Sequence, residues 1–195
     1  MHGEVRNEIK YIDCLLRCNK QVMLFPHTKG CRRAFLPDIP TGTLKTMECT
    51  VSWTGDAGTR SAMGFVAETG SGHVLMMDGA PDAAKPENGG QNLAARPMET
   101  VLAGTGGCTA YDVVLILKRG RHDVRGCKVV LKAERATSDP KVFTAIHFHF
   151  VVSGKGLKAE IVERAVALSH EKYCSATAML AKTSAISTSF EVIEV

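Results

Sequence analysis

Apolar and polar positions change rhythm several times along the chain, and the changes mark the elements. Residues 1–46 hold little clean periodicity. Ile9, Ile12, Leu15 and Leu16 predict a short amphipathic stretch, which Phe25-Pro26 and Leu36-Pro37 keep from growing. From Met47 the texture changes. Residues 48–53, 61–68 and 73–78 have strand composition and are separated by glycine-rich turns, which predicts an antiparallel meander. Residues 79–96 carry prolines and glycines without an apolar pattern, as functional or mobile loops do. Pro97 then opens a helix that runs to about Lys118 and stops at Gly120. It is apolar nearly all round (Val101, Leu102, Val113, Val114, Ile116, Leu117), which predicts a buried rod of about 33 Å. Two longer strands, 128–136 and 142–152, follow around the turn 137–140. A helix over 157–170, a shorter one over 175–182 and an alternating strand over 186–195 complete the chain. The order βββ-α-ββ-αα-β predicts an α+β fold and not βαβ winding.

Composition adds bounds. The 195 residues suit one domain with an appendage, read as an N-terminal extension over 1–46 and a domain over 47–195. The extension is expected to be poorly ordered, or a misassigned upstream reading with Met47 as the true start. With 45% hydrophobic and 23% charged residues, wholesale disorder is excluded. No uninterrupted apolar run approaches about 18 residues, so no membrane span is expected. A net charge of +4 is too small and too scattered to point to nucleic acid. The opening MHGEVRNEIKYIDC has no secretory pattern. The expected compartment is therefore the reducing cytoplasm, where the seven cysteines are catalytic, metal-binding or inert before they are structural disulfides.

Chemistry enters with Gly104-Thr105-Gly106-Gly107-Cys108, inside the long helix. Each glycine there costs about 1 kcal/mol relative to alanine, so something must compensate. Small residues let a neighbouring backbone or a ligand come close. Either Cys108 is presented as a thiol on a bare helix surface, or it is an inert buried cysteine at a helix crossing. At Lys172-Tyr173-Cys174-Ser175, a helix capped by Ser175 would put Cys174 beside its N-terminus, where the dipole and the Lys172 ammonium favour a thiolate. The plainer reading is a small apolar residue in a turn. Together, two helix-associated thiols 66 residues apart suggest a redox pair. In such a pair one thiolate attacks a peroxide oxygen, and the second condenses with the sulfenic acid. That requires their Cα atoms to come within about 7 Å.

Other features rank lower. Cys14, Cys18, His27 and Cys31 are four soft ligands able to hold zinc, at an unfamiliar spacing. His147 and His149 alternate with Phe148 and Phe150, so both histidines share one face of a strand: two at that spacing can bind metal, and the plainer reading is the wetter face of a sheet whose phenylalanines pack on the core. Lys118, Arg119, Arg121, His122 and Arg125 form a basic cluster that could meet an anionic substrate or partner, and more plainly reads as a solvated helix end. Cys49 and Cys127 read as strand cysteines.

The segments RPMETVLAGTGGCTAYDVVLILKRGRHDV and HEKYCSATAML, with their cysteine separation, resemble the OsmC/Ohr family of hydroperoxide reductases. SGHVLMMDG and FTAIHFHFVVSG resemble its YhfA branch, and the likeness runs from about Met47 to Val195. The resemblance implies antiparallel sheets packed on a long central helix in an intertwined homodimer, with two active sites at the interface. It implies Cys108 as the peroxidatic cysteine and Cys174 as the resolving one. The implied substrates are small organic hydroperoxides. The implied reductants are dithiols, with lipoylated proteins in that role in the Ohr branch; no cofactor or metal is implied. An arginine near the first strands and a glutamate just after the helix-opening proline orient the thiolate in active relatives. Here Met98 follows Pro97, and Glu99 comes one position later, about 100° round the helix. Arg60 is the nearest counterpart of the arginine, and Arg96 precedes the helix. A non-enzymatic binding or redox-sensing protein on the same scaffold is the alternative, and a zinc-dependent adaptor rests on the N-terminal ligands alone.

Overall fold

The computed structural model describes residues 46–54 and 62–195. The chain divides into two units, Met1–Lys45 and Thr46–Val195, and every described residue belongs to the second. The extension and its zinc-ligand set Cys14, Cys18, His27 and Cys31 lie outside the described residues.

Strands β1 (Cys49–Trp53), β2 (Phe65–Thr69) and β3 (Val74–Met77) form an antiparallel sheet in chain order. The β2–β3 turn needs a left-handed residue, and Gly72 supplies it with φ +81°. The following loop closes on Asp78, which is 2% exposed. Its Oδ1 accepts from the Gly79 N–H at 2.7 Å, and its Oδ2 from Gln91 N–H at 3.1 Å and Leu93 N–H at 2.9 Å. One buried carboxylate thus fastens both ends of a segment whose sequence carries no packing pattern. Gly90 makes the closure possible, since a Cβ there would run into the Gly79 carbonyl.

Helix α1 (Pro97–Arg119) starts at the proline and ends at Gly120, whose N–H donates to the Ile116 carbonyl at 2.9 Å. Strands β4 (Asp123–Arg135) and β5 (Phe143–Lys155) form a long antiparallel pair. Helix α2 (Ala159–Leu168), one π-helical turn (Ser169–Tyr173) and helix α3 (Ser175–Leu180) lead to β6 (Ala185–Glu194). The core lies between β5 and the helices. Ile146, Phe148, Phe150 and Val152 of β5 meet Val113 and Leu117 of α1 and Val162 of α2, all fully buried. Burying each such side chain stabilises the fold by about 1.5–3 kcal/mol. The opposite face of β5 carries His147 and His149. The His147 nitrogens meet the Ser187 and Ser189 hydroxyls at 2.8 and 2.9 Å, and Ser189 also meets His149 Nδ1 at 2.8 Å.

The mixed helix and sheet content is the expected α+β arrangement, with two departures. First, β6 pairs with β5 in parallel, because two helices carry the chain back across the sheet before it pairs. Second, α1 is not buried all round. Val113 and Leu117 are enclosed, while Val101 is 44% and Tyr111 69% exposed. An 18-residue window of α1 reaches a mean hydropathy of 1.5, long and apolar enough to cross a membrane, with 28% of it buried. Counting uninterrupted apolar runs missed this because glycines and threonines break the run while costing little hydropathy. The position of α1, packed on β4 and the core, accounts for the apolar content on its inner side.

Candidate active site

Cys108 sits midway along α1 and Cys174 at the break before α3. The fold brings their sulfurs together. Cys108 Sγ, Cys174 Sγ and a carboxylate oxygen of Asp112 all lie within 4.8 Å of one another. Asp112 is one turn beyond Cys108 on the same helix, the spacing at which helical side chains become neighbours. The π-helical turn delivers the other sulfur. Its extra residue ends the run of α2, and Cys174 N–H donates to the Ser169 carbonyl at 2.8 Å to close it.

The two thiols have different surroundings. Cys174 is 2% exposed. Its Sγ accepts hydrogen bonds from Thr177 Oγ1 at 3.0 Å and Thr177 N–H at 3.4 Å. Cys174 is therefore itself the cap of α3, the place expected for Ser175. Cys108 is half-buried and reaches solvent. Burial pushes its thiol above the ordinary value. The Ala176 backbone N–H favours the thiolate, whereas Cys174 and Asp112 oppose it. Among the charged side chains of the described residues, the one acting on Cys108 is thus the Asp112 carboxylate, which disfavours its thiolate.

Asp112 is held in turn: its Oδ2 accepts from Ser169 Oγ at 3.2 Å. Beside it, His170 packs its ring edge-on to Phe148 and Phe150, with centroids 4.9 and 5.9 Å away. Neither ring nitrogen has a hydrogen-bond partner among the described residues, and burial pushes the imidazole below its ordinary value while Asp112 counteracts this. The Lys172 ammonium, expected near Cys174, lies over the Tyr173 ring, 5.4 Å from its centroid. Glu99 is exposed at the start of α1, where its Oε2 accepts from the Arg96 N–H at 2.9 Å. Cys108 is nine positions further on, about 13.5 Å along the helix axis. Arg60 lies outside the described residues.

Asp112, Ser169, His170 and Thr177 escaped the sequence reading. A polar residue in a helix is ordinarily read as facing solvent. The one available signal was the four-residue interval between Cys108 and Asp112. The glycines divide in function. A Cβ on Gly106 would come within 2.7 Å of Leu131 Cδ1, so this glycine seats α1 on β4, while Gly104 and Gly107 have nothing within 4 Å.

A family model described as OsmC-like protein matches residues 89–189, from the loop before α1 into β6. Protein YhfA of Escherichia coli K12 is 44% identical over 147 residues, spanning 75% of this chain and 98% of YhfA. A hypothetical protein from Aquifex aeolicus superposes with a TM-score of 0.63 at 28% identity, covering 78% of this chain and 99% of that one. An organic hydroperoxide resistance protein from Legionella pneumophila shares the fold with a TM-score of 0.55 at 20% identity, covering 77% and 99%. The match extends over both cysteine segments and the strands between them, and this chain belongs to the OsmC-like family.

Proposed function

We propose that this protein is a cytoplasmic thiol-dependent peroxidase that reduces small organic hydroperoxides in oxidative stress defence. The observation that carries the reading is the approach of two free thiols, Cys108 and Cys174, from distant parts of the chain. Their unequal exposure supports a division of labour. The accessible Cys108 thiolate attacks the terminal peroxide oxygen. The O–O bond breaks, the leaving alkoxide takes a proton, and Cys108 becomes a sulfenic acid. The buried Cys174 sulfur then attacks Cys108, an S–S bond forms, and water leaves. A dithiol reductant, a lipoylated protein among the candidates, restores both thiols by exchange. The hydroperoxide resistance protein named above shares the fold and lends the reading its chemical theme.

Thiol counting tests it. One equivalent of cumene hydroperoxide should remove two thiols, and dihydrolipoamide should sustain turnover that Cys108→Ser abolishes. Cys174→Ser should react once and then stall or over-oxidise; repeated turnover in that variant would contradict the resolving role. Glu99 and Arg60 enter the scheme as assisting residues, Glu99 toward the Cys108 of a second copy, since it is about 13.5 Å along the helix axis from that of its own chain. Glu99→Gln separates assistance from capping: the first lowers kcat/KM at constant Tm, the second lowers Tm at constant kcat/KM. Arg60→Ala should slow the peroxide step and leave reduction of the disulfide unchanged.

The raised thiol of Cys108, half-buried and with a carboxylate beside it, favours a second reading, a redox sensor oxidised once and slowly. Stoichiometric thiol loss without turnover under any dithiol supports it.

The active unit is proposed to be a homodimer. Val51, Trp53, Val74 and Met76 are each more than half exposed on the β1–β3 sheet, and Val101 and Tyr111 on α1 are likewise uncovered. A second copy is the cover that the family resemblance implies.

A further inference from the structure

We propose that the reduced Cys108 and Cys174, together with Asp112, form a binding site for a thiophilic divalent cation of the zinc class. Three ligand atoms from three side chains already lie within 4.8 Å of one another. Tetrahedral zinc, with Zn–S of about 2.3 Å and Zn–O of about 2.0–2.2 Å, holds such atoms roughly 3.4–3.8 Å apart. The contraction required is at most about 1.4 Å. Two thiolates and one carboxylate select a soft or borderline cation over calcium or magnesium, which prefer all-oxygen shells. Three protein ligands leave a fourth position open, and the exposed side of Cys108 gives it access to solvent.

The surroundings are those of oriented ligands. Ser169 Oγ fixes one Asp112 oxygen and Thr177 fixes the Cys174 sulfur, as outer groups do around metal sites. A dication held among Asp112 and the two sulfurs would offset their mutual repulsion once the thiols have lost their protons. On binding, two metal–sulfur bonds and one metal–oxygen bond to Asp112 replace bonds to water, the two thiol protons pass to solvent, and no electrons move. The proposal rests on the peroxidase reading only for its regulatory consequence, that a Cys108–Cys174 disulfide removes two of three ligands. Binding itself needs only the reduced pair.

Cobalt titration of the reduced full-length protein tests the site. The same titration is run on a chain carrying Cys14→Ser, Cys18→Ser and Cys31→Ser, because those residues with His27 offer a competing donor set. Expected are one Co²⁺ per protomer in that background, a thiolate-to-cobalt charge-transfer band, displacement by Zn²⁺ and release of two protons. Asp112→Asn should weaken binding by about tenfold or more, and Cys108→Ser should remove the band. In wild type, Zn²⁺ should shield Cys108, which reaches solvent, from iodoacetamide, read peptide by peptide, and EDTA should restore alkylation. This second readout holds even if a variant misfolds. Absence of both band and shielding overturns the site, as does binding that persists unchanged in Asp112→Asn and Cys108→Ser. If hydroperoxide still consumes two thiols in a sample that binds no cation, the metal site falls and the peroxidase reading stands. If the cation binds and hydroperoxide consumes no thiol, the reverse holds.

Discussion

At Cys108, burial, the Cys174 thiol and the Asp112 carboxylate push the thiol up while one backbone N–H pulls it down, and the upward effects win. The thiolate population at neutral pH is correspondingly small. With EDTA present, the alkylation rate of Cys108 should therefore keep rising on the alkaline side of about pH 8.5. Asp112→Asn removes one opposing charge and should speed that alkylation at pH 8; an unchanged rate would mean that Asp112 does not act on the sulfur. His170 offers a second test at this scale. Its folded-state pKa is depressed by burial, so as pH falls the unfolded chain takes up the proton first. The stability associated with the neutral ring is present above about pH 6.5 and is lost as pH falls through the lower, folded-state value. Melting temperatures at pH 7.5 and 5.0 should differ more in wild type than in His170→Phe. That variant keeps the contacts with Phe148 and Phe150 and removes the titration.

Among elements, α1 shows what could be read in advance and what could not. Its ends were legible because Pro97 and Gly120 act through the backbone alone. The antiparallel meander was legible from strand composition and Gly72. The direction of β6 was not, since alternation marks a strand and says nothing of its partner. The anchoring of the loop by Asp78 was hidden for a similar reason: an aspartate beside glycines reads as turn chemistry until its three N–H donors, up to fifteen residues away, are seen. The glycines of α1 predicted close approach, and only one of the three shows it within a protomer. Gly106→Ala forces Leu131 to move and should cost about 1–3 kcal/mol in urea unfolding. Gly104→Ala meets nothing within 4 Å, so in an isolated protomer it should gain up to about 1 kcal/mol from helix propensity. A loss at Gly104 would show that another chain lies against this face.

For the molecule as a whole, that question is decisive, because the β1–β3 sheet is poorly covered in one protomer. Its antiparallel register puts Val51, Ala67 and Leu75 on one face and Glu68 and Val74 on the other, and both faces of β3 expose apolar side chains. A three-stranded sheet needs an apolar face packed on something to be stable. Exposed apolar patches of this kind mark interfaces. Interfaces of stable dimers bury about 1,200–2,000 Å² or more. Trp53, 57% exposed, and Val74, 60% exposed, stand on different strands and opposite faces, so charges at both disrupt whichever face a second copy covers. Sedimentation of the wild type should give twice the chain mass, and its melting temperature should rise with protein concentration, as linkage requires of a dimer. Trp53→Glu combined with Val74→Asp should sediment as a monomer, melt at a lower temperature and lose the concentration dependence. A wild type that sediments as a monomer at micromolar concentration would remove the dimer from the proposed function. The Cys108–Cys174 pair would remain, because both cysteines belong to one chain.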